Sequence, residues 1–199
     1  MTKPLITQVS RLDPWKDPFG VIDAYRMVKK IFPDLQLALI AQSATDDPEG
    51  EELLVKVKNY IKDEKNIFLL GNLPNNDTAV NAFQTASTIV MQKSIREGFG
   101  LTVTEAMWKG AVVIAGDVGG IRLQIKDGVN GFLVNSPSHA AERIRYILDN
   151  PMLRDTIGKA AHETVKDKFL LPHGLLNYLK LFTLIVENKK TTRRKGAII

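Results

Sequence analysis

Short apolar runs alternating with helix-period segments, a glycine-rich loop that feeds a helix, and an evenly charged, cysteine-free composition together predict an α/β chain. The expected architecture is a Rossmann-like parallel sheet with helices on both faces. With 44% hydrophobic and 25% charged residues in 199, the chain has the composition of a globular protein with a sizeable core. The strand candidates, in order, are 5–9, 35–40, 67–70, 88–91, 112–114 and 132–134, each a short Val/Ile/Leu-rich run bounded by turn residues. Helices are expected between them. Residues 18–32 open at Asp17-Pro18, 49–63 follow Pro48, 77–86 open at Asp77, and 101–109 stop at Gly110. Three further helical stretches, 138–150, 151–168 and 172–187, follow the last strand without another between them. Neither a repeat nor a low-complexity linker divides the chain, so residues 1–188 read as one domain and 189–199 as a basic, disordered tail.

The net charge of +5 and a pI near 9.3 invite a nucleic-acid reading, but the location of the charge removes it. Lys189, Lys190, Arg193, Arg194 and Lys195 account for five positive charges, leaving 22 basic and 22 acidic residues in the rest of the chain. The body is neutral. Without cysteine there are no disulfides, thiolate nucleophiles or Cys-based zinc sites, and His139, His162 and His173 lack ligand spacing. The sequence shows no apolar run near twenty residues and no N-terminal signal pattern, so the expectation is a cytoplasmic protein without a membrane partner.

In open α/β sheets, ligands gather beyond the C-terminal ends of the strands. The chemistry-bearing residues fall there. Arg11 and Lys16 follow the first strand, residues 71–76 the third, 94–100 the fourth and 116–120 the fifth. The most informative run is Ser94-Ile95-Arg96-Glu97-Gly98-Phe99-Gly100-Leu101-Thr102-Val103-Thr104-Glu105, with seven residues between two glutamates. Glycines 98 and 100 open the approach to the free N–H groups of a helix N-terminus, an anion site, and Glu97 and Glu105 flank it with carboxylates. A nucleotide sugar calls for donors to a diphosphate and acceptors for ribose and sugar hydroxyls. On spacing alone the run is equally an ordinary strand–loop–helix joint with a solvated Glu97, and Arg-x4-Lys alone reads as two surface cations. The aromatics Phe83 and Trp108 lie inside helices and read as packing. A redox dinucleotide-binding domain is excluded, since no Gly-x-Gly-x-x-Gly follows the first strand.

The Glu-x7-Glu run, Val9 to Lys16, Asp46-Asp47-Pro48-Glu49-Gly50, Asn81-Ala82-Phe83-Gln84, Gly119-Gly120-Ile121 and Asp127-Gly128-x-x-Gly131-Phe132-Leu133-Val134 give the chain a wider likeness. Over residues 5–185 it resembles the C-terminal donor domain of the retaining glycosyltransferases called family four, the glycogen-synthase and sucrose-synthase type. Within them it is similar to the trehalose glycosyltransferring synthases and trehalose phosphorylases. The resemblance implies the C-terminal half of a two-domain GT-B glycosyltransferase that transfers a glucosyl group from ADP- or UDP-glucose to a sugar acceptor. It implies Arg11 and Lys16 on the diphosphate and Glu97 on the donor sugar as a positioning and charge-stabilising residue. Backbone N–H groups of Gly98, Phe99, Gly100, Leu101 and Thr102 then fall on sugar and phosphate, Glu105 on the ribose, and Asn72 and Leu73 on the base. No essential metal is implied, because cations and N–H groups supply the positive field. The implied partners are the nucleotide sugar, the sugar acceptor, the missing N-terminal acceptor domain and a second copy in a homodimer of the full-length enzyme. Alternatives are a phosphorylase domain using glucose 1-phosphate and a non-catalytic nucleotide-sugar-binding module. Three positions depart from the family pattern: Asp17, where Gly is frequent after the lysine, Ala41, where Gly is common, and Leu123, where Glu is frequent.

Overall fold

Side chains alternate across a strand, so a run that is apolar at every position has to be covered on both faces. The strands have that character. In a computed structural model that describes residues 3–42, 48–71, 73, 74 and 76–195, strands β1 (Leu5–Arg11), β2 (Gln36–Gln42), β3 (Ile67–Gly71), β4 (Ile89–Gln92), β5 (Val112–Gly116) and β6 (Phe132–Val134) form one sheet in the order β3-β2-β1-β4-β5-β6. All five pairings are parallel, with Leu5 opposite Gln36 and Ile89 opposite Val112 setting two of the registers. The helices are α1 (Pro18–Lys29), α2 (Pro48–Ile61), α3 (Asn76–Ala86), α4 (Leu101–Trp108), α5 (Ile121–Gln124), α6 (Pro137–Asp149), α7 (Pro151–Lys168) and α8 (Leu171–Lys195).

The period-2 alternation divides the core into two layers. Ile89 and Met91 of β4 and Val112 and Ile114 of β5 join Val21, Tyr25 and Val28 of α1, Leu53 and Val57 of α2, and Ile144 of α6 on one face. Val90, Val113 and Ala115 point the other way, against Val103 and Met107 of α4 and Ala161 and Val165 of α7. Helix starts carry the expected chemistry: Ser136 accepts from the His139 amide at 3.1 Å ahead of Pro137, and Asp17 accepts from the Gly20 amide at 3.0 Å ahead of Pro18.

The expected strands and helices are present, with ends that coincide or shift by up to three residues except at the end of α8, and the short α5 is an addition. The tail differs. Helix α8 runs to Lys195 and so takes in residues 189–195 of the stretch set apart as disordered, because residues 175–195 contain neither Gly nor Pro to stop it. The apolar reading of the C-terminus is also corrected. An 18-residue window within Pro151–Glu187 has a mean hydropathy of 1.5, long and apolar enough by composition to cross a membrane, and none of it is buried. His173, Gly174, Asn177 and Lys180 interrupt the run in sequence and conceal it. Leu171, Leu175, Tyr178, Phe182 and Leu184 are all exposed on α8.

Candidate functional site

The strand order reverses direction between β1 and β4, so the loops leaving these neighbouring strands part to opposite sides and open a crevice at the sheet's C-terminal edge. Both loops carry the residues singled out above. Lys16 ends a short 3-10 helix, Pro14–Lys16, whose start is capped by Asp13 accepting from the Trp15 amide at 2.8 Å. From there its Nζ reaches the Glu97 carboxylate at 2.5 Å, with side-chain exposures of 20% and 12%. Arg11 lies at the end of β1 and lines a pocket of about 210 Å³ with Trp15 and Glu49. A second pocket of about 390 Å³, which shares Asp13 and Trp15 with the first, is also lined by Lys16, Arg96, Glu97 and Gly98.

Glu97 is fixed from behind as well. Ser94 Oγ donates to its Oε2 at 3.1 Å and itself accepts from Gln92 Nε2 at 3.1 Å, a relay running from buried β4 into the crevice. Its carboxylate is therefore held in a defined orientation by Lys16 and Ser94. Gly100, in the left-handed region with φ 83°, turns the chain into α4 and provides no side-chain cap, leaving the first-turn amides of Leu101 and Thr102 directed at the loop. The β5 loop closes against this turn. The Gly120 amide donates to the Gly98 carbonyl at 2.7 Å, and Gln124 Nε2 donates to the Phe99 carbonyl. At Gly119, with φ 47°, a Cβ would fall on the Glu97 carbonyl oxygen, so only glycine permits this approach.

Glu105 sits one turn into α4, exposed, and its Oε2 accepts from Gln84 Nε2 at 3.4 Å. Gln84 is fully buried on α3, and Lys109 Nζ donates to its Oε1 at 2.7 Å, which fixes the amide so that its NH2 faces Glu105. Thus Arg11, Lys16, Glu97, Gly98, Phe99, Gly100, Leu101 and Thr102 gather around the β1 and β4 loops, with Glu105 on the flanking helix. Phe99 is anchored sideways on Phe169, centroids 5.8 Å apart. Leu73 follows β3 at the sheet's edge, two strands from β1, and Asn72 lies outside the described residues. Leu123 is exposed on α5. Trp108, read as packing, is partly exposed and stacks on His162 at 4.4 Å, which gives that histidine a structural place.

Sequence reasoning missed the groups behind the site: Gln84, Gln92, Ser94, the Lys93–Asp17 ion pair, and Arg96, whose guanidinium lies 4.6 Å from the Trp15 ring centroid. Gln84, Ser94 and Arg96 stood inside quoted runs without a role of their own, and Asp17 drew notice as a departure from glycine.

Residues 1–164 match the model of the family described as "Glycosyl transferases group 1". The chain is 48% identical over 180 residues to the trehalose synthase of Thermococcus litoralis, covering 90% of the chain and 44% of that relative. It spans less than half the length of that curated relative. Among solved structures, the C-terminal domain of the group 1 glycosyl transferase LpcC from Francisella tularensis superposes with a TM-score of 0.72 at 29% identity, covering 85% of this chain and 87% of that one. The Anabaena Alr3699/HepE structure in complex with UDP-glucose gives a TM-score of 0.75 at 24% identity over 92% of this chain and 48% of that one, a likeness of GT-B fold.

Proposed function

The chain belongs to the group 1 glycosyl transferases, and we propose that it is the C-terminal, donor-binding domain of a retaining glycosyltransferase of family four. The reaction proposed is transfer of a glucosyl group from ADP- or UDP-glucose to a sugar acceptor, in trehalose synthesis. One observation carries this reading. Lys16 and Glu97, from loops on either side of the reversal in strand order, meet beside the uncapped N-terminus of α4. Cation, carboxylate and free amides are thereby grouped at the one edge where an open parallel sheet takes a ligand.

In this reading Arg11, Lys16 and the α4 amides hold the diphosphate, and they take up the negative charge that grows on it as the glycosidic bond breaks. Glu97 then turns to the donor sugar, Glu105 to the ribose hydroxyls, and the segment of Asn72 and Leu73 to the base. No divalent metal is required, since fixed cations and amides already supply the positive field. The acceptor comes from a second domain. Support lies in the share of the relative that the chain spans, and in α8, whose apolar side chains lie in solvent and need a partner surface.

Calorimetry in chelator with ADP, UDP and the matching nucleosides is the test. Diphosphates should bind well ahead of nucleosides. Binding that appears only with magnesium would remove the metal-free site, and binding of glucose 1-phosphate without either nucleotide would redirect the reading to a trehalose phosphorylase domain.

A further inference from the structure

A buried lysine at the end of a central parallel strand is unusual, because its ammonium must leave water and find a counter-charge. Lys93 directly follows β4 and is only 4% exposed. Its Nζ is paired with Asp17 Oδ2 across 76 residues of sequence, and the side chains of the pair are 5% and 22% exposed. Asp17 is the hinge residue between the 3-10 helix and α1. It adopts φ 48°, ψ 56°, a conformation that favours glycine, while its other carboxylate oxygen, Oδ1, accepts from the Gly20 amide at 3.0 Å. The neighbourhood is shaped to hold the pair: a Cβ on Gly20 would come within 2.8 Å of Lys93 Nζ.

The three residues Trp15, Lys16 and Asp17 are tied down in succession. The Ile95 amide donates to the Trp15 carbonyl at 2.8 Å, Gln8 Nε2 donates to the Lys16 carbonyl at 2.9 Å, and Lys93 holds the Asp17 carboxylate. Only the third of these joins full charges in a nearly dry setting, and it acts on the residue next to Lys16. We propose that Lys93 and Asp17 are positioning residues for the donor diphosphate: the buried pair locks the β1 loop onto the β4 loop, so that Lys16 stands over Glu97 and the start of α4. The inference rests on the reading of that crevice as a diphosphate site. It adds a pair that touches no substrate and acts through the lysine that does. Asp17 occupies a strained conformation because its carboxylate is needed there.

The test is calorimetry of ADP and adenosine with the full chain and with Asp17→Asn, Lys93→Met, and the double variant Lys93→Met with Asp17→Gly, together with amide exchange at Lys16 and Asp17. Those two amides donate to the Asp13 and Pro14 carbonyls and report the loop directly. Each variant is expected to bind ADP about tenfold more weakly, with adenosine unaffected, and to exchange faster at Lys16 and Asp17 while β2 and β5 stay protected. Asp17→Asn separates positioning from simple charge, because removing a negative charge would by itself strengthen ADP; stronger binding overturns the proposal. The double variant separates positioning from the penalty of an unpaired buried charge, since it removes both charges and places glycine where φ is positive. Full recovery of ADP binding there overturns the proposal too, and it carries the test if Lys93→Met fails to fold. A wild-type chain that binds ADP no better than adenosine sinks the diphosphate site and this inference with it. A wild-type preference that all three variants retain sinks the inference alone.

Discussion

Replacing Glu97 by glutamine should make the chain bind ADP more tightly, because Glu97 pairs with the lysine that the proposed diphosphate would need. The contact is 2.5 Å long, and neither side chain is more than 20% exposed. At an effective dielectric near 20, the direct attraction between unit charges so close is on the order of 6 kcal/mol. Desolvation and the restraint of two long side chains cancel most of it. Exposed pairs retain about 0.2–1 kcal/mol, and this less exposed one should retain about 1–2 kcal/mol. A diphosphate that recruits Lys16 has to displace or share that attraction and also lies near the Glu97 charge. The Glu97→Gln substitution keeps the shape of the side chain and still leaves an oxygen to accept from Ser94, so the change isolates the charge. Removing about 1–2 kcal/mol of competition corresponds to roughly five- to thirtyfold tighter ADP. Calorimetry at low and high salt reads it, with adenosine as the control that should not move. The gain should shrink near 1 M salt, where the Debye length falls to about 3 Å. ADP-glucose should lose its advantage over ADP in the same variant, since Glu97 is assigned to the sugar. Unchanged or weaker ADP binding would refute the idea that Lys16 passes from Glu97 to the diphosphate.

Gln84→Leu should weaken ADP by about two- to tenfold, the worth of one hydrogen bond, while leaving 2′,3′-dideoxy-ADP unaffected, because Gln84 holds the Glu105 carboxylate that is proposed to take the ribose hydroxyls. Equal weakening of both nucleotides would detach Gln84 from ribose recognition. Burial in the core pushes the Tyr25 hydroxyl up to about 12, with the Glu64 charge adding to it. The folded state therefore keeps a proton that the unfolded chain gives up above about pH 10, so stability should fall as pH rises from 10 toward 12, by at most about 1.4 kcal/mol per unit. Tyr25→Phe should remove that share of the alkaline loss in denaturant titrations, and an unchanged slope would contradict it. Glycosyl transfer by this chain alone should be undetectable, since holding the acceptor at the anomeric carbon supplies much of the rate. Adding the N-terminal half in trans should restore transfer, and Leu175→Glu with Leu179→Glu, one turn apart on exposed α8, should abolish the restoration without changing ADP affinity. Full restoration by that double variant would show that α8 is not the docking surface.

The sheet was legible because each of its strands announces itself locally. Val112, Val113, Ile114 and Ala115 are apolar without interruption and are buried on both faces, which is what a central parallel strand demands. Helix starts were legible for the same reason: Ser136-Pro137 and Asp17-Pro18 are cap and first-turn signals carried by adjacent residues. The exposed apolar side of α8 was not. Read as a helix, 172–187 fits the expected periodicity, and nothing within it says whether the surface that would cover it lies in the same domain.

The site divides along the same line. Of the residues that face the crevice, Glu97 and the glycines before α4 drew notice because small residues, free amides and a carboxylate stand within one short stretch, whereas Lys16, far away in the chain, drew it only through the family resemblance. The residues that hold them were missed because each bridges elements far apart in the chain. Gln84 reaches Glu105 from another helix, and Lys93 reaches Asp17 from β4 to the mouth of α1. In sequence, Gln92-Lys93-Ser94 after an apolar strand resembles the polar start of any loop. Burial changes its meaning: Lys93 is only 4% exposed, and a charge at that depth persists only where a partner waits for it. Asp17 offered the one sequence-level sign, a side chain at a hinge where glycine would be easier. A residue kept in a strained conformation points to a contact that the strain serves, and here that contact is the lysine at the end of β4.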